Sequence, residues 1–291
     1  MILNKGSLIH GYLAEKPFSN ITAPIFEIFF GVYDFVYAPL IFERNNNNYY
    51  NILKEILSYL KGEFKDCYPP IHSNIDQEKI KYIFIKHGFK YKPWATFLVY
   101  LNRSLDELWK NLKKNSRYSV RKCKKQGVYV KEVENIKELS EYYSMLKETC
   151  DRNAISCKSF KNIRIMYELG KKYNISKYFI AYTDDIPLAG YGLSYFNRII
   201  FQGGLCRSNY SIKKKIYAGD YLQWHAIKFG KEIGARIYDL TGVNPNPRDK
   251  KEKGIYMFKS RWGGVQKNFY IYSRYNPNKL EFLKKVERLI K

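Results

Sequence analysis

From residue 135 onward the chain reads as two helices, a three-strand meander, a helix, a strand, a loop and a last strand, and this order limits the fold more than any other feature. The turns of the meander are explicit: 177–183 turns at Asp184 and Asp185, 186–196 turns at Asn197 and Arg198, and 199–205 forms the third strand. A basic loop over 213–219 then enters a helix that runs to Lys231 and stops at Gly234. Asp220 and Gln223 stand at the spacing of a capping box. A loop of this kind running into a helix start is a standard anion site, because free backbone N–H groups and the helix dipole face the ligand.

The first hundred residues add a strand–helix–helix–strand series, which implies an α/β domain. Residues 1–24 carry little pattern. Segments 25–30 and 36–42 read as strands around a turn near 31–34, and Asn45 to Asn48 as a polar turn. Tyr50, Leu53, Leu57 and Leu60 recur at helical spacing and Gly62 stops that helix. A second helix spans 77–86, and 96–101 is a strand.

Ser104 and Glu107 form a capping box, and Leu105, Leu108, Trp109 and Leu112 an apolar stripe, so the spacing predicts one helix from there to Gly127. Its second half, 113–125, carries seven cations and no acid, with Lys113, Arg117, Arg121 and Lys124 on one stripe. Like charges four apart destabilise a helix unless an anion lies opposite. The stripe is therefore either a phosphate-facing surface or a solvated face. Asn135 caps a helix to about 153 that carries Arg152, and 160–172 gives one more.

The short apolar strand 237–240 delivers Asp239, Thr241 and Gly242 to a sheet edge. A polar excursion over 244–253 leads to an aromatic and cationic cluster, Tyr256, Phe258, Lys259, Arg261 and Trp262, closed by Gly263 and Gly264. Strand ends opening into charged loops often carry the chemistry of α/β proteins; a solvated loop between strands is the other reading. Residues 269–272 make a last strand and 279–290 a terminal helix.

The net charge is +24, from 51 Lys and Arg against 27 Asp and Glu in 291 residues, which favours polyanionic partners such as nucleic acid, phosphorylated substrates or an anionic membrane. Lysine and asparagine abundance is also what an AT-rich genome gives. Five cysteines without a C-x-x-C pair and four scattered histidines suggest neither a disulfide framework nor a metal site. The start lacks the apolar core of a signal peptide, and the most apolar run, 25–42, is interrupted by Glu27 and Asp34, so the expected location is the cytoplasm.

At this point the residues resemble a known family. The pieces, in order, are Leu108 to Lys114 with Arg117 to Gly127, then Glu148 to Asn153, then Ala218 to Ile227. Tyr238 to Gly242 follows, and last Gly254 to Gly264. Together they are similar to the Fem-type (FemABX) aminoacyltransferases of peptidoglycan bridges, within the GNAT class of acyltransferase folds. The resemblance implies tandem GNAT-like domains with mixed, mostly antiparallel sheets flanked by helices. It would divide the chain into 1–104, 105–272 and a terminal helix over 273–291. It also implies transfer of an amino acid from aminoacyl-tRNA, without a bound cofactor, to an amine of a UDP- or lipid-linked muropeptide precursor, in the cytoplasm or at the inner face of the membrane. Phe258 and Lys259 fall on the family's Phe-Lys pair, and Asp239 is either placed to orient or deprotonate the attacking amine or a buried structural carboxylate. Arg117 and Arg121 would hold a diphosphate or tRNA backbone, with Arg261 in the same binding set; Tyr217 and Trp224 would line the groove, a core position being the other reading of Trp224. Arg152 is placed in the binding region too, although a structural ion pair suits it better. The family's helical arm has no counterpart here, and residues 1–24 do not clearly supply its precursor-binding lysine. The acyl-CoA loop of ordinary GNAT enzymes is not cleanly present at 213–219. Acyl-CoA as donor and a non-catalytic RNA- or membrane-binding protein are the alternative readings.

Overall fold

The structure is a computed structural model; it describes residues 2–6, 11–15, 21–29, 32–35, 40–41, 46–59, 63–69, 71, 75–196 and 198–275. The chain divides into two compact units, residues 1–95 with 267–291, and residues 96–266. The sequence reading divides it after 104 and after 272 instead.

In the first unit, β1 (Ile2–Gly6), β2 (Gly11–Glu15), β3 (Ile21–Phe29), β4 (Val32–Phe35) and β5 (Leu40–Ile41) precede α1 (Asn46–Tyr59), β6 (Glu63–Cys67) and α2 (Gln77–Lys86). Its sheet runs β1-β2-β3-β4-β6, with β5 on β3, all antiparallel except β4 against β6. Two readings of this region are corrected. The supposed turn over 31–34 lies largely in β4, and Asn46 to Asn48 are the first turn of α1 rather than a polar turn. Helix α2 covers 77–86 as the spacing predicts, with the Asp76 side chain accepting from the backbone of Glu78 and Lys79. Leu53 and Leu57 of α1 and Ile80 and Phe84 of α2 stand four apart and bury one face in the core of this unit.

Strand β7 (Lys90–Tyr100) leads into the second unit and starts earlier than the apolar run 96–101 suggests. There follow α3 (Leu105–Asn111), α4 (Lys114–Lys125), β8 (Tyr129–Glu132), α5 (Ile136–Arg152) and α6 (Phe160–Tyr173). The meander is β9 (Ser176–Thr183), β10 (Ile186–Phe196) and β11 (Ile199–Arg207). Then come α7 (Asn209–Lys213), α8 (Ala218–Glu232), β12 (Ile237–Asp239), α9 (Lys250–Lys259) and β13 (Val265–Arg274), the last leading back into the first unit, where it pairs antiparallel with β6. The expected terminal helix lies outside the described residues.

The sheet of the second unit has the order β7-β12-β11-β10-β9-β8, antiparallel except for β11 against β12. It is the mixed, mostly antiparallel sheet flanked by helices that the resemblance implies. Strand alternation sorts its two faces. Tyr178, Ile180 and Tyr182 pack with Leu139, Tyr142 and Met145 of α5 and Ile163 and Tyr167 of α6. Phe179, between them in sequence, meets His225 and Phe229 of α8 on the other side. Asp184 and Asp185 both take positive φ, 45° and 58°, as a two-residue hairpin turn requires.

The single helix expected from Ser104 to Gly127 is two. The Ser104–Glu107 capping box is present, but α3 ends at Asn111, and Leu112 and Lys113 are extended, with ψ of 144° and 152°. Leu112 is buried, so the break turns an apolar side chain inward. The Arg117 guanidinium closes it, donating to the carbonyls of Lys110 (2.8 Å) and Leu112, which the helix end leaves unpaired. Lys113 is thus the N-cap residue of α4, without a side-chain cap.

Candidate functional site

The site is built where β12 ends. This strand of three residues pairs with β7 on one side (Asp239 with Leu98) and β11 on the other (Asp239 with Phe201). Asp239, 3% exposed, accepts on Oδ1 from the Thr96 hydroxyl (2.5 Å) and from the Thr241 backbone N–H (2.7 Å). The Thr96 hydroxyl also lies 2.9 Å from the Thr241 carbonyl. The chain then leaves the sheet with Thr241 in the left-handed region at φ 57°.

The excursion after Gly242 is not the irregular loop the sequence suggests as far as 253. The Asp249 side chain caps α9 through the Glu252 N–H, and the Glu252 carboxylate takes the Asn244 amide and the Arg248 N–H, each at 3.0 Å. Three turns later this helix delivers Lys259 to the β12 end. Lys259 is 8% exposed, and its Nζ donates to Thr241 Oγ1 and to the Gly242 carbonyl, both at 3.2 Å. Burial pulls the Lys259 ammonium down to about 8, while the Asp239 carboxylate acts in the opposite direction. The amine is thus largely protonated at neutral pH and loses its proton within reach of physiological conditions.

Beyond Lys259 the chain turns tightly. Trp262 is fully buried, and Gly263, at φ 76°, passes Asn111 at the end of α3. A Cβ at Gly263 would come within 3.1 Å of Asn111 Cβ and 3.2 Å of its carbonyl oxygen. Gly263→Ala is therefore expected to lower stability by about 1–3 kcal/mol, as strained positive-φ positions do. A thermal melt against Gly254→Ala, where no heavy atom lies within 4 Å, checks it.

Arg261 carries a second cluster. Its guanidinium reaches Asp220 Oδ1 at 2.5 Å and stacks over Phe258 at 4.9 Å and Trp262 at 5.6 Å. Its carbonyl accepts from the Lys113 N–H (3.0 Å) and the Ser116 hydroxyl (3.2 Å), which ties the start of α4 to the turn after Lys259. Asp220 is not the N-cap the sequence suggests: Tyr217 takes that place without a side-chain cap, and Asp220 lies buried in the first turn of α8. Burial raises its carboxyl above the usual value although Arg261 and Arg207 oppose the shift, so desolvation outweighs the ion pair.

The remaining expected residues are spread along α4, α5 and α8. Arg121 is exposed and lies 5.4 Å over the Trp109 ring, and Trp109 meets Trp224 edge-on at 5.0 Å. Tyr217 lies beneath the Lys122 ammonium at 5.1 Å. Arg152 is committed to structure, bonded to Asn209 (2.6 Å), Thr149 (2.9 Å) and the Arg207 carbonyl (2.8 Å). A cavity of about 470 Å³ opens near the ends of α6 and α8, against Asn174, Lys177, Tyr195, Arg198 and Phe229; none of the expected site residues lines it.

Thr96 was not singled out from the sequence. It lies 143 residues before Asp239, and only the pairing of β7 with β12 brings the two together.

Residues 80–184 match the model of the FemAB family. Among solved structures the chain is similar to FemX, with a TM-score of 0.69 at 14% identity, covering 94% of this chain and 90% of that one. It is also similar to L-PGS from Bacillus licheniformis, with a TM-score of 0.58 at 14% identity over 96% and 89% of the two chains. A conserved protein of unknown function from Bacteroides thetaiotaomicron gives 0.58 at 12% identity, over 92% and 87%. No curated protein sequence matches. The structural likenesses show a GNAT-like fold, and the likeness to the FemAB family model covers residues 80–184. Among the described residues, no helix is long and apolar enough to cross a membrane.

Proposed function

We propose that the protein moves an amino acid from the ribose ester of an aminoacyl-tRNA to a primary amine of a peptidoglycan-type peptide precursor, nucleotide- or lipid-linked. The observation that carries the reading is the Lys259 amine. It is buried at the end of α9, held by two neutral acceptors, and it follows Phe258 as in the Fem-type pair. In the reaction the acceptor nitrogen bonds to the ester carbonyl carbon, the bond from that carbon to the ribose oxygen breaks, and the proton shed by the amine passes to the ribose oxygen. Negative charge grows on the carbonyl oxygen and then on the leaving oxygen. The Lys259 ammonium stabilises it, and in a desolvated site such a fixed charge is worth more than in water. Asp239 holds the Thr241 turn on which Lys259 rests and is the candidate for orienting the acceptor amine.

Phosphates of either substrate meet the cations of α4 in this reading, with Tyr217, Trp224 and the Arg261 segment beside them. The protein works in the cytoplasm, with peripheral contact to the inner membrane face where the acceptor is lipid-linked. The buried Asp220 carboxylate in the first turn of α8 weighs against acyl-CoA as donor, because it fills with the chain's own anion the helix start that would attract a diphosphate.

The test is transfer from a full set of aminoacyl-tRNAs to nucleotide-linked and lipid-linked precursors. One amino acid is expected to move. Failure across the whole set, with N-acylation supported by acyl-CoA, overturns the proposal. The α4 cations give a separate prediction. Arg121→Glu is expected to weaken tRNA binding and to flatten its dependence on log salt by about 1–2 units, with the thermal midpoint unchanged. Arg117→Ala is expected mainly to lower stability, because that guanidinium closes the break between α3 and α4. Binding measured across a salt series, beside thermal melts, separates the two.

A further inference from the structure

Of the described non-glycine residues with positive φ, Thr241 is the β-branched one; the others are Ala154, Asn174, Asp184, Asp185, Arg198 and Lys215. A branched Cβ suits the left-handed region worst, whereas glycine adopts it freely. Strain of this kind persists where neighbouring structure holds it in place, and it collects at functional sites. Every polar group of Thr241 is engaged. Its N–H donates to Asp239 Oδ1 at 2.7 Å, its carbonyl faces the Thr96 hydroxyl at 2.9 Å, and its Oγ1 accepts from Lys259 Nζ at 3.2 Å. The two backbone contacts would survive in any residue at this position. Only the third needs a side chain, and it is directed at the amine on which the proposed reaction depends.

We propose that Thr241 is a positioning residue: its left-handed turn, pinned by Thr96 and Asp239, sets its hydroxyl against Lys259 and holds that amine, protonated, where acyl transfer uses it. The inference rests on the reading of Lys259 as the group that stabilises the transition state. It assigns the strain at Thr241 to the hydroxyl rather than to the turn. Asp239 on β12 favours the ammonium, Arg261 two residues on is paired with Asp220, and Glu252 at the far end of α9 is bonded to Asn244 and Arg248. From β7 the contribution is the uncharged Thr96.

The experiment compares Thr241→Ser, Thr241→Val and Thr241→Gly in the full chain. The first readout is the pH titration of Lys259 followed by NMR of ¹³Cε-labelled lysine, its resonance assigned by its loss in Lys259→Met. The native midpoint is expected near 8. Serine keeps it, whereas valine and glycine lower it by about 0.5–1 pH unit, since an acceptor that favours the ammonium has gone. Glycine is also expected to raise the thermal midpoint, by roughly 2–4 °C, because it relieves the strain without supplying the hydroxyl. A midpoint left at its native value by valine and glycine overturns the proposal, as does serine shifting it as far as valine. In transfer assays valine and glycine are expected to lower kcat about tenfold with KM little changed; a rise in KM alone contradicts the assignment. The titration needs no substrate, so it still tests the Thr241 contact if Lys259→Met retains full transfer and the wider reading fails.

Discussion

Lys259→Met is expected to lower the rate of aminoacyl transfer by about 10²–10³-fold, the range found when one preorganised charge-stabilising group is removed. The same substitution is expected to make the protein more stable at neutral pH. Burial disfavours the ammonium, and its proton is held with a midpoint of about 8 against an ordinary value of 10.5. Between those two pH values the unfolded chain binds more protons than the native one, so this group makes native stability rise with pH across the window and level off above it. Below the window the full cost of burying the charge applies. At roughly 1.4 kcal/mol per pH unit it comes to about 3 kcal/mol as an upper figure, of which methionine is expected to recover 1–3 kcal/mol. Denaturant titrations at pH 7, 8, 9 and 10 check both parts. The native protein gains stability along the series relative to Lys259→Met. A variant that is less stable than the native protein at pH 7 contradicts the account of the amine, and one that transfers normally contradicts its role.

Arg261→Ala is expected to be strongly destabilising, by about 3–5 kcal/mol, because it leaves the buried Asp220 carboxylate without its ion-pair partner. The sign with pH is opposite to that of Lys259. Burial already raises the Asp220 carboxyl, and losing Arg261 raises it further, so the native state binds the extra proton and stability falls as pH climbs above the ordinary carboxylate range. The deficit of Arg261→Ala is therefore larger at pH 7 than at pH 4.5. Replacing both partners by apolar residues of similar size, Arg261→Met with Asp220→Leu, is expected to return most of the loss, since neither leaves a buried charge. Chemical denaturation of the two single variants and the double variant measures the coupling. A pair that proves additive would mean that the 2.5 Å contact between Arg261 and Asp220 carries little energy.

The sheet of the second unit was legible because its signals are local. The two-aspartate turn, the alternation through β9 and the strand formed by 237–240 each lie within a dozen residues, and the Asn135 cap marks a helix start by itself. The break between α3 and α4 was not legible. The residues at 112 and 113 read as helix by spacing, and what stops the helix is a tertiary arrangement, Leu112 turned into the core and the Lys113 N–H given to the Arg261 carbonyl. Asp220 misled for a similar reason. Its spacing to Gln223 fits a capping box, but a distant arginine draws the carboxylate inward and the helix starts three residues earlier, with Tyr217 as N-cap. The start of α9 is hidden in the sequence because 244–253 is polar and contains two prolines, Pro245 and Pro247; it depends on the Asp249 cap and on Glu252 gathering the loop in front of it.

Of the candidate site, the residue types were visible and their meeting was not. Lys259 and Asp239 stand twenty residues apart with no shared period. Thr96 comes from another strand, and the contact between them needs the left-handed Thr241 that no propensity for threonine suggests. The cations split in a way that charge counting cannot show: Arg117 and Arg152 are spent on backbone carbonyls, whereas Arg121 faces outward over Trp109.

The most direct test is the pH dependence of single-turnover transfer from aminoacyl-tRNA to the acceptor amine, measured side by side for the native protein and Lys259→Met. The native rate is expected to decline with a midpoint near 8 as the buried ammonium loses its proton, and that descending limb is expected to be absent from the variant, whose rate is low throughout. Two profiles of equal height and the same shape would show that the Lys259 amine takes no part in the reaction.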